Sequence, residues 1–249
     1  MLKWIKRYNK EHSQREINHV TVRSGRITKP LTLALAADLH DGPFEDVLPA
    51  LAQCDAILIV GDLVDRHSPK EYARGLSFLQ AAVNLAPTFY AIGNHERKHP
   101  QRGAFWPEIE RSGAVILDDR FVPFGGVVLG GLSSRKNKKT LRPFLAEMAQ
   151  RPEFRLLMCH HPEDFARHVQ RHDIDLTVSG HAHGGQVRLF GQGLYAPGQG
   201  LLPRLTSGFY ADGRLLVSRG MTNATWAPRL RCPCELIILH LEADDEQRA

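Results

Sequence analysis

Five short groups of residues carry most of the chemical capacity of this chain: Asp38-Leu39-His40, Gly61-Asp62-Leu63-Val64-Asp65-Arg66, Gly93-Asn94-His95-Glu96, His160, and Gly180-His181-Ala182-His183. Carboxylate, amide oxygen and imidazole are hard to borderline ligands. Each group follows an apolar, β-rich run, so the side chains would gather at one rim of a sheet, and such a rim can hold two divalent metals.

The runs that must position these groups span residues 31–37, 56–60, 88–92, 155–159 and 174–179, and each reads as a short buried strand. Stretches of helical period over 44–52, 69–83, 141–148 and 162–172 lie between most of them. Strands alternating with helices imply a largely parallel sheet with helical cover. In open α/β sheets ligands bind beyond the carboxyl ends of the strands, where loops converge, and all five groups fall at such ends.

The first three groups resemble the three-part signature of the calcineurin-like metallophosphoesterases, and His160 with the Gly180-His181-Ala182-His183 group resembles that family's histidine ligands. The resemblance covers roughly residues 31–241. A lone Asp-x-His occurs often by chance, whereas five groups in the required order are specific. The resemblance implies a four-layer αββα sandwich of two mixed β-sheets flanked by helices. It also implies one metal on Asp38, His40 and His183, a second on Asn94, His160 and His181, and Asp62 bridging the two. A shared carboxylate between two cations offsets their repulsion. Two divalent ions drawn from Mn, Fe or Zn are expected, with Mn favoured.

The family would make His95 the general acid, because a leaving alkoxide needs a proton and imidazole titrates near working pH. Asp65 would hydrogen-bond that ring and set its tautomer, and Glu96 is expected to be structural. Two dications lower the pKa of water, so a nucleophile is available near neutrality for attack on phosphorus. The expected activity is therefore metal-dependent phosphodiester hydrolysis. The alternatives are a phosphomonoesterase, a nuclease, or a non-catalytic scaffold of the same fold. Of the adjacent histidines, His160 ends its strand two residues before Pro162, the spacing the family uses for a ligand, and His161 is expected to face the other way. His12, His19, His67, His99, His168, His172 and His240 read as surface or core residues.

A chain of 249 residues with 43% hydrophobic content can bury a sizeable core, and one domain over 1–249 is expected, with a basic extension at 1–16 and an acidic tail at 243–249. No apolar stretch reaches the roughly 18–20 residues of a membrane span, and no export signal appears. Cys54 and Cys159 sit in apolar surroundings and read as reduced, buried thiols, while Cys232 and Cys234 lack the partners of a redox or metal pair.

The group Gly180-His181-Ala182-His183-Gly184-Gly185-Gln186, with Val217-Ser218-Arg219-Gly220 and the final Pro-Cys-Glu-Leu strand, is similar to a bacterial branch containing envelope-associated phosphodiesterases. Some of its members act on lipid-linked pyrophosphates such as UDP-diacylglucosamine. No N-terminal span is expected, and Ala37 stands where a serine is common. The expected location is the cytoplasm, with peripheral contact at the inner membrane surface through residues 1–12, where Trp4 lies among Lys3, Lys6, Arg7 and Lys10. The expected substrate is a phosphate ester, lipid-linked or nucleotide diester. The formal charge of +5 suits such anions. Arg135, Lys136, Lys138 and Lys139 read as a solvated basic loop, with no dedicated nucleic-acid-binding domain. The glycine-rich stretch 184–200 reads as a mobile wall of the site and not as a dinucleotide fingerprint. The sequence is silent on oligomeric state.

Overall fold

Strands covered on both faces read as unbroken apolar runs, and the alternation inside each run decides which side chain meets which layer. The computed structural model describes residues 15–67, 72–132, 134, 141–223 and 228–244. The basic segment 1–12, the basic loop at 135–139 and the acidic tail beyond residue 244 lie outside the described residues. In chain order the elements are β1 (Arg15–Ser24), β2 (Leu31–Ala36), a 3-10 turn (Glu45–Val47) leading into α1 (Leu48–Leu51), β3 (Ala56–Val60), α2 (Ala73–Leu85), β4 (Thr88–Ala91), α3 (Asn94–Lys98) and α4 (Arg102–Arg111). There follow β5 (Val115–Leu117), β6 (Arg120–Phe124), β7 (Val127–Leu132), α5 (Leu141–Ala149), β8 (Phe154–Cys159), a π-helical turn (Phe165–Val169) and β9 (Leu176–Ser179). The chain closes through the short strands β10 (Arg188–Leu189), β11 (Gln192–Gly193), β12 (Tyr195–Ala196) and β13 (Gly200–Leu201), then β14 (Gly208–Tyr210), β15 (Leu215–Val217) and β16 (Cys234–Ala243).

Two six-stranded sheets result, in the orders β1-β16-β2-β3-β4-β5 and β14-β15-β9-β8-β7-β6. The first is parallel from β2 to β5 and becomes mixed where β16 runs antiparallel to β2. The second is parallel from β7 to β9 and on to β15, with antiparallel partners β6 and β14 at its edges. Alternation sorts the side chains into layers. Leu33, Leu35, Leu58, Val60, Leu156, Met158 and Val178 fill the space between the sheets. Ala34, Ile57 and Ile59 face outward onto Phe78 and Leu79 of α2 and Phe105 and Ile109 of α4. Val128, Leu157 and Cys159 pack on Leu145 and Met148 of α5. This is the expected four-layer α/β sandwich.

The differences from expectation fall where side-chain pattern is weak. The last two residues of the expected basic extension already belong to β1, whose pairing with β16 runs from Arg15 to Ser24. The helix expected over 44–52 breaks into a 3-10 turn and one short α-turn, with Pro49 in its first turn where its missing N–H costs nothing. The helix expected over 162–172 contracts around the π-helical turn. No helix among the described residues is long and apolar enough to cross a membrane.

Candidate metal centre

Pairing continues past the strand ends. Asp38 N–H donates to Gly61 O (3.1 Å), His40 N–H to Asp62 O (3.0 Å) and Asp41 N–H to Leu63 O (3.0 Å), so the first two groups leave β2 and β3 locked side by side. The two sheets are then stitched together at the same rim. His181 N–H donates to Asp38 Oδ2 (2.9 Å). His160, next in the inward alternation after Leu156 and Met158, donates Nδ1–H to Val60 O of the facing sheet (2.8 Å). A carbonyl can only accept, so a proton is fixed on Nδ1 and Nε2 is the nitrogen turned to the site.

The backbone is unusual where these side chains emerge. Asp38 (φ 54°), His40 (47°), Asp62 (54°), His181 (67°) and His183 (46°) all adopt left-handed conformations. Such geometry costs energy in a non-glycine residue and persists only where the surroundings impose it. Two glycines make the crowding possible. A Cβ on Gly61 would lie 2.7 Å from His160 Nδ1, and one on Gly93 would collide with the amide and carboxylate of Asp62.

Around Asp62, Oδ2 lies 3.2 Å from His160 Nε2, 3.8 Å from His95 Nε2 and 3.9 Å from His40 Nε2. Asp38 Oδ1 stands 3.8 Å from His40 Nε2 and 4.0 Å from His183 Nε2. Among the described residues five overlapping sets bring ligand atoms within 4.8 Å of one another: Asp38, His40 and His183; Asp38, Asp62 and His160; His160, His161 and His181; His40, Asp62 and His95; and Asp65, His67 and His95. Asn94 is buried at the start of α3, directly after β4.

Glu96 organises the loops beneath. Its buried carboxylate accepts from the backbone N–H of Leu63 (2.6 Å), Gly93 (2.8 Å), Asp62 (3.1 Å) and Val64 (3.2 Å), so one side chain fixes two of the five groups. His95 N–H donates to Asp62 Oδ1 (2.8 Å), tying the third group to the second. His95 Nδ1 lies 3.2 Å from Asp65 Oδ1, and Asp65 also accepts from His67 N–H (3.0 Å).

Electrostatics follow from burying many charges together. Burial drives the Asp38 carboxyl up to about 7 and takes His40 down to about 3, the latter assisted by His95. Burial also works against a charged His160, yet Asp62 and Asp38 outweigh it and raise that ring to about 10, so without a cation Nε2 carries a proton toward Asp62 that a bound cation would displace. His181 and His183 are held well below the ordinary imidazole range by burial and by neighbouring rings, with Arg229, 3.3 Å from His183 Nδ1, adding its charge. At His95 burial is again overcome, by Asp62 and by the bond to Asp65, and the pKa rises. Asp65 itself falls to about 2 because the His95 ring and the His67 N–H more than offset its burial.

The fit to cations can be judged from polar atoms left without partners. Both ring nitrogens of His40, Oδ1 of Asn94 and Nε2 of His160 are buried with no hydrogen bond. Buried polar atoms are nearly always satisfied, and imidazole Nε2 atoms left bare within 4 Å of two carboxylates suit a group that accepts lone pairs. The residues fit a divalent cation.

Two expectations need correction. His161 does not face away: its ring stands 4.3 Å from that of His181, and Ser134 Oγ lies 3.2 Å from its Nδ1. The strand ends at Cys159, so strict alternation no longer governs residue 161. His67 is an exposed residue as expected, but not one without partners, because its ring meets His95 edge-on at 5.4 Å and joins Asp65 and His95 in one cluster. Sequence reading also passed over Arg229 and Thr222, whose hydroxyl bonds Leu39 O (2.7 Å) and Asp38 O (3.1 Å) from a distant segment. Cys54, Cys159, Cys232 and Cys234 are all buried. The stretch 184–200 folds into two small hairpins, β10–β11 and β12–β13, beside the site.

A family model described as calcineurin-like phosphoesterase matches residues 31–185. An uncharacterized metallophosphoesterase of Campylobacter jejuni is 30% identical over 91% of this chain, which spans 63% of that relative's length. The phosphodiesterase YaeI of Escherichia coli is 28% identical over 85% of this chain and 82% of its own length. The structure of a 5'-nucleotidase precursor from Thermus thermophilus shares the fold, with a TM-score of 0.51 at 16% identity over 78% of this chain and 50% of that one.

Proposed function

The chain belongs to the calcineurin-like phosphoesterase family, and from that premise we propose that it is a phosphodiesterase dependent on two divalent metals. The observation that carries this reading is the set of buried ligand atoms without partners on His40, Asn94 and His160, the Nε2 atoms of the two histidines standing within 4 Å of the carboxylates of Asp38 and Asp62. In this reading Asp38, His40 and His183 hold one cation, Asn94, His160 and His181 the other, and Asp62 lies between them. The phosphodiesterase name of the Escherichia coli relative supports a diester over a monoester. Bound cations would supply Lewis-acid charge for phosphoryl oxygens and lower the pKa of water. Manganese is favoured, with iron and zinc able to use the same O/N donors.

The protein's own contribution is proton delivery and order. His95 is the proton donor to the leaving oxygen. Its Nδ1 is turned to Asp65, its Nε2 to the cluster at Asp62, and the two carboxylates keep the cation accessible near neutrality. Asp65 is the positioning residue for that ring. His160 spends its Nδ1 proton on Val60 O, which holds the ring in place. The substrate is a lipid-linked or nucleotide diester, and the place of action is the cytoplasm at the inner membrane surface.

The test is hydrolysis of bis(p-nitrophenyl) phosphate and p-nitrophenyl phosphate by chelated protein before and after Mn²⁺ addition, with Asp62→Asn as control. Metal-dependent diester cleavage lost in the variant is the expected result. Monoester preference would redirect the assignment to a phosphatase, and cleavage of neither ester by metal-loaded protein would favour the non-catalytic scaffold.

A further inference from the structure

Among the described residues, eight large apolar side chains are exposed, and five of them, Leu189, Phe190, Leu201, Leu202 and Leu230, belong to the hairpin segment β10–β13 with the residue that follows it and to the isolated bridge beside it. Phe190 is fully exposed at the turn of the first hairpin and Leu201 is 82% exposed in the second. Backbone bonds join these pieces into one array, since Arg188 N–H donates to Leu230 O (3.0 Å) and Leu202 N–H to Leu194 O (2.9 Å). The array is held rigid from within by Arg188, whose guanidinium reaches Gly184 O (3.0 Å) and Ser207 Oγ (2.8 Å). Large apolar groups displayed together on a braced surface mark a docking site.

The charge around them selects the partner. None of the chain's 27 Asp and Glu residues falls between 181 and 211, while Arg188 and Arg204 do, and Arg231 follows Leu230. Arg204 and Arg231 are exposed and form no ion pair among the described residues. Apolar tips flanked by cations, with no carboxylate carried by the hairpins themselves and Glu163 packed behind the Gly198 turn, match the interface of an anionic bilayer, where apolar groups enter the acyl boundary and cations meet lipid phosphates. The same array walls the metal centre: a Cβ on Gly198, in the turn of the second hairpin, would lie 3.2 Å from His181 Nε2.

We propose that the β10–β13 hairpins dock this protein onto anionic phospholipid bilayers. The docking is independent of the hydrolase reading. That the phosphate layer is thereby brought to the catalytic residues rests on that reading.

Full-length protein is sedimented with vesicles of phosphatidylcholine alone or with about 30% phosphatidylglycerol, beside the variant Phe190→Ser/Leu201→Ser/Leu202→Ser. Binding to the anionic vesicles that weakens with salt is expected, and the variant should partition about tenfold or more less well. Turnover of soluble bis(p-nitrophenyl) phosphate should be unchanged in the variant. A single Phe190→Trp variant should show blue-shifted emission on vesicle addition. Failure of the wild type to bind anionic vesicles, equal binding by the triple variant, or an unshifted Trp spectrum would overturn the proposal. Absence of soluble diester turnover in the wild type would sink the hydrolase reading while leaving the vesicle result to stand.

Discussion

Glu96→Gln separates organisation of the site from its chemistry, because the side chain touches backbone amides and not the cluster's ligand atoms. The carboxylate accepts four buried N–H groups at 2.6–3.2 Å, shared between Oε1, which serves Leu63 and Val64, and Oε2, which serves Gly93 and Asp62. Glutamine keeps one acceptor oxygen and presents an NH₂ to the other pair, so two bonds to a charged acceptor are lost and two donors are stranded. At about 1.5–3 kcal/mol for each bond to a charged group, partly relieved by relaxation, the expected cost is about 3 kcal/mol. For a chain of this size that lowers the melting temperature by roughly 6–12 °C. Because either pair that is stranded adjoins Asp62, as its own amide with Gly93 or as the next two residues, metal affinity should fall about 10–100-fold, as when supporting groups behind ligands are removed. Thermal melts by circular dichroism and metal titration by calorimetry read the two effects. A variant that melts within about a degree of wild type and binds metal with unchanged affinity would refute this account of how the loops are held.

Replacing His95 by alanine should leave bound metal intact and slow turnover by about 10²- to 10⁴-fold, most strongly for substrates with poor leaving groups, which steady-state kinetics across a leaving-group series would show. Equal slowing for every leaving group would remove the proton-donor role. Gly93→Ala forces a methyl onto the Asp62 amide and should cost about 1–3 kcal/mol together with metal affinity, whereas Gly103→Ala, with nothing within 4 Å, should stabilise α4 by about 0.5–1 kcal/mol. Melting of the pair side by side checks the contrast. Burial raises the Cys54 thiol to about 11 and also lifts Cys232 and Cys234. At pH 8 the Cys54 thiolate fraction is then about one in a thousand, so native protein should react with a thiol reagent orders of magnitude more slowly than denatured protein.

The strands that carry the five groups were legible because they are buried on both faces. The run 56–60 coincides with β3, and 31–37, 88–92 and 155–159 differ from β2, β4 and β8 by one residue at one end. Edge elements were not. β1 mixes Ile17, Val20 and Val22 with charged neighbours, and β5 is only three residues long, so neither offers a sustained apolar pattern. The ordering of the five groups was visible in the chain, but not the left-handed backbone at Asp38, His40, Asp62, His181 and His183. Nor was the return of His161 and His67 to the cluster, which depends on loop paths beyond the strand ends where alternation gives no guidance. Glu96 could be placed next to His95 from sequence, yet its four acceptor bonds come from residues some thirty positions earlier and from Gly93, which only the fold brings together.

The most direct test is metal stoichiometry. Protein stripped with chelator, reloaded with Mn²⁺ and desalted would be assayed by elemental analysis, wild type beside Asp62→Asn. The account predicts about two ions per wild-type chain and a marked drop in the variant, because Asp62 lies between both sets of ligands. A single ion per chain, or full loading of the variant, would contradict it.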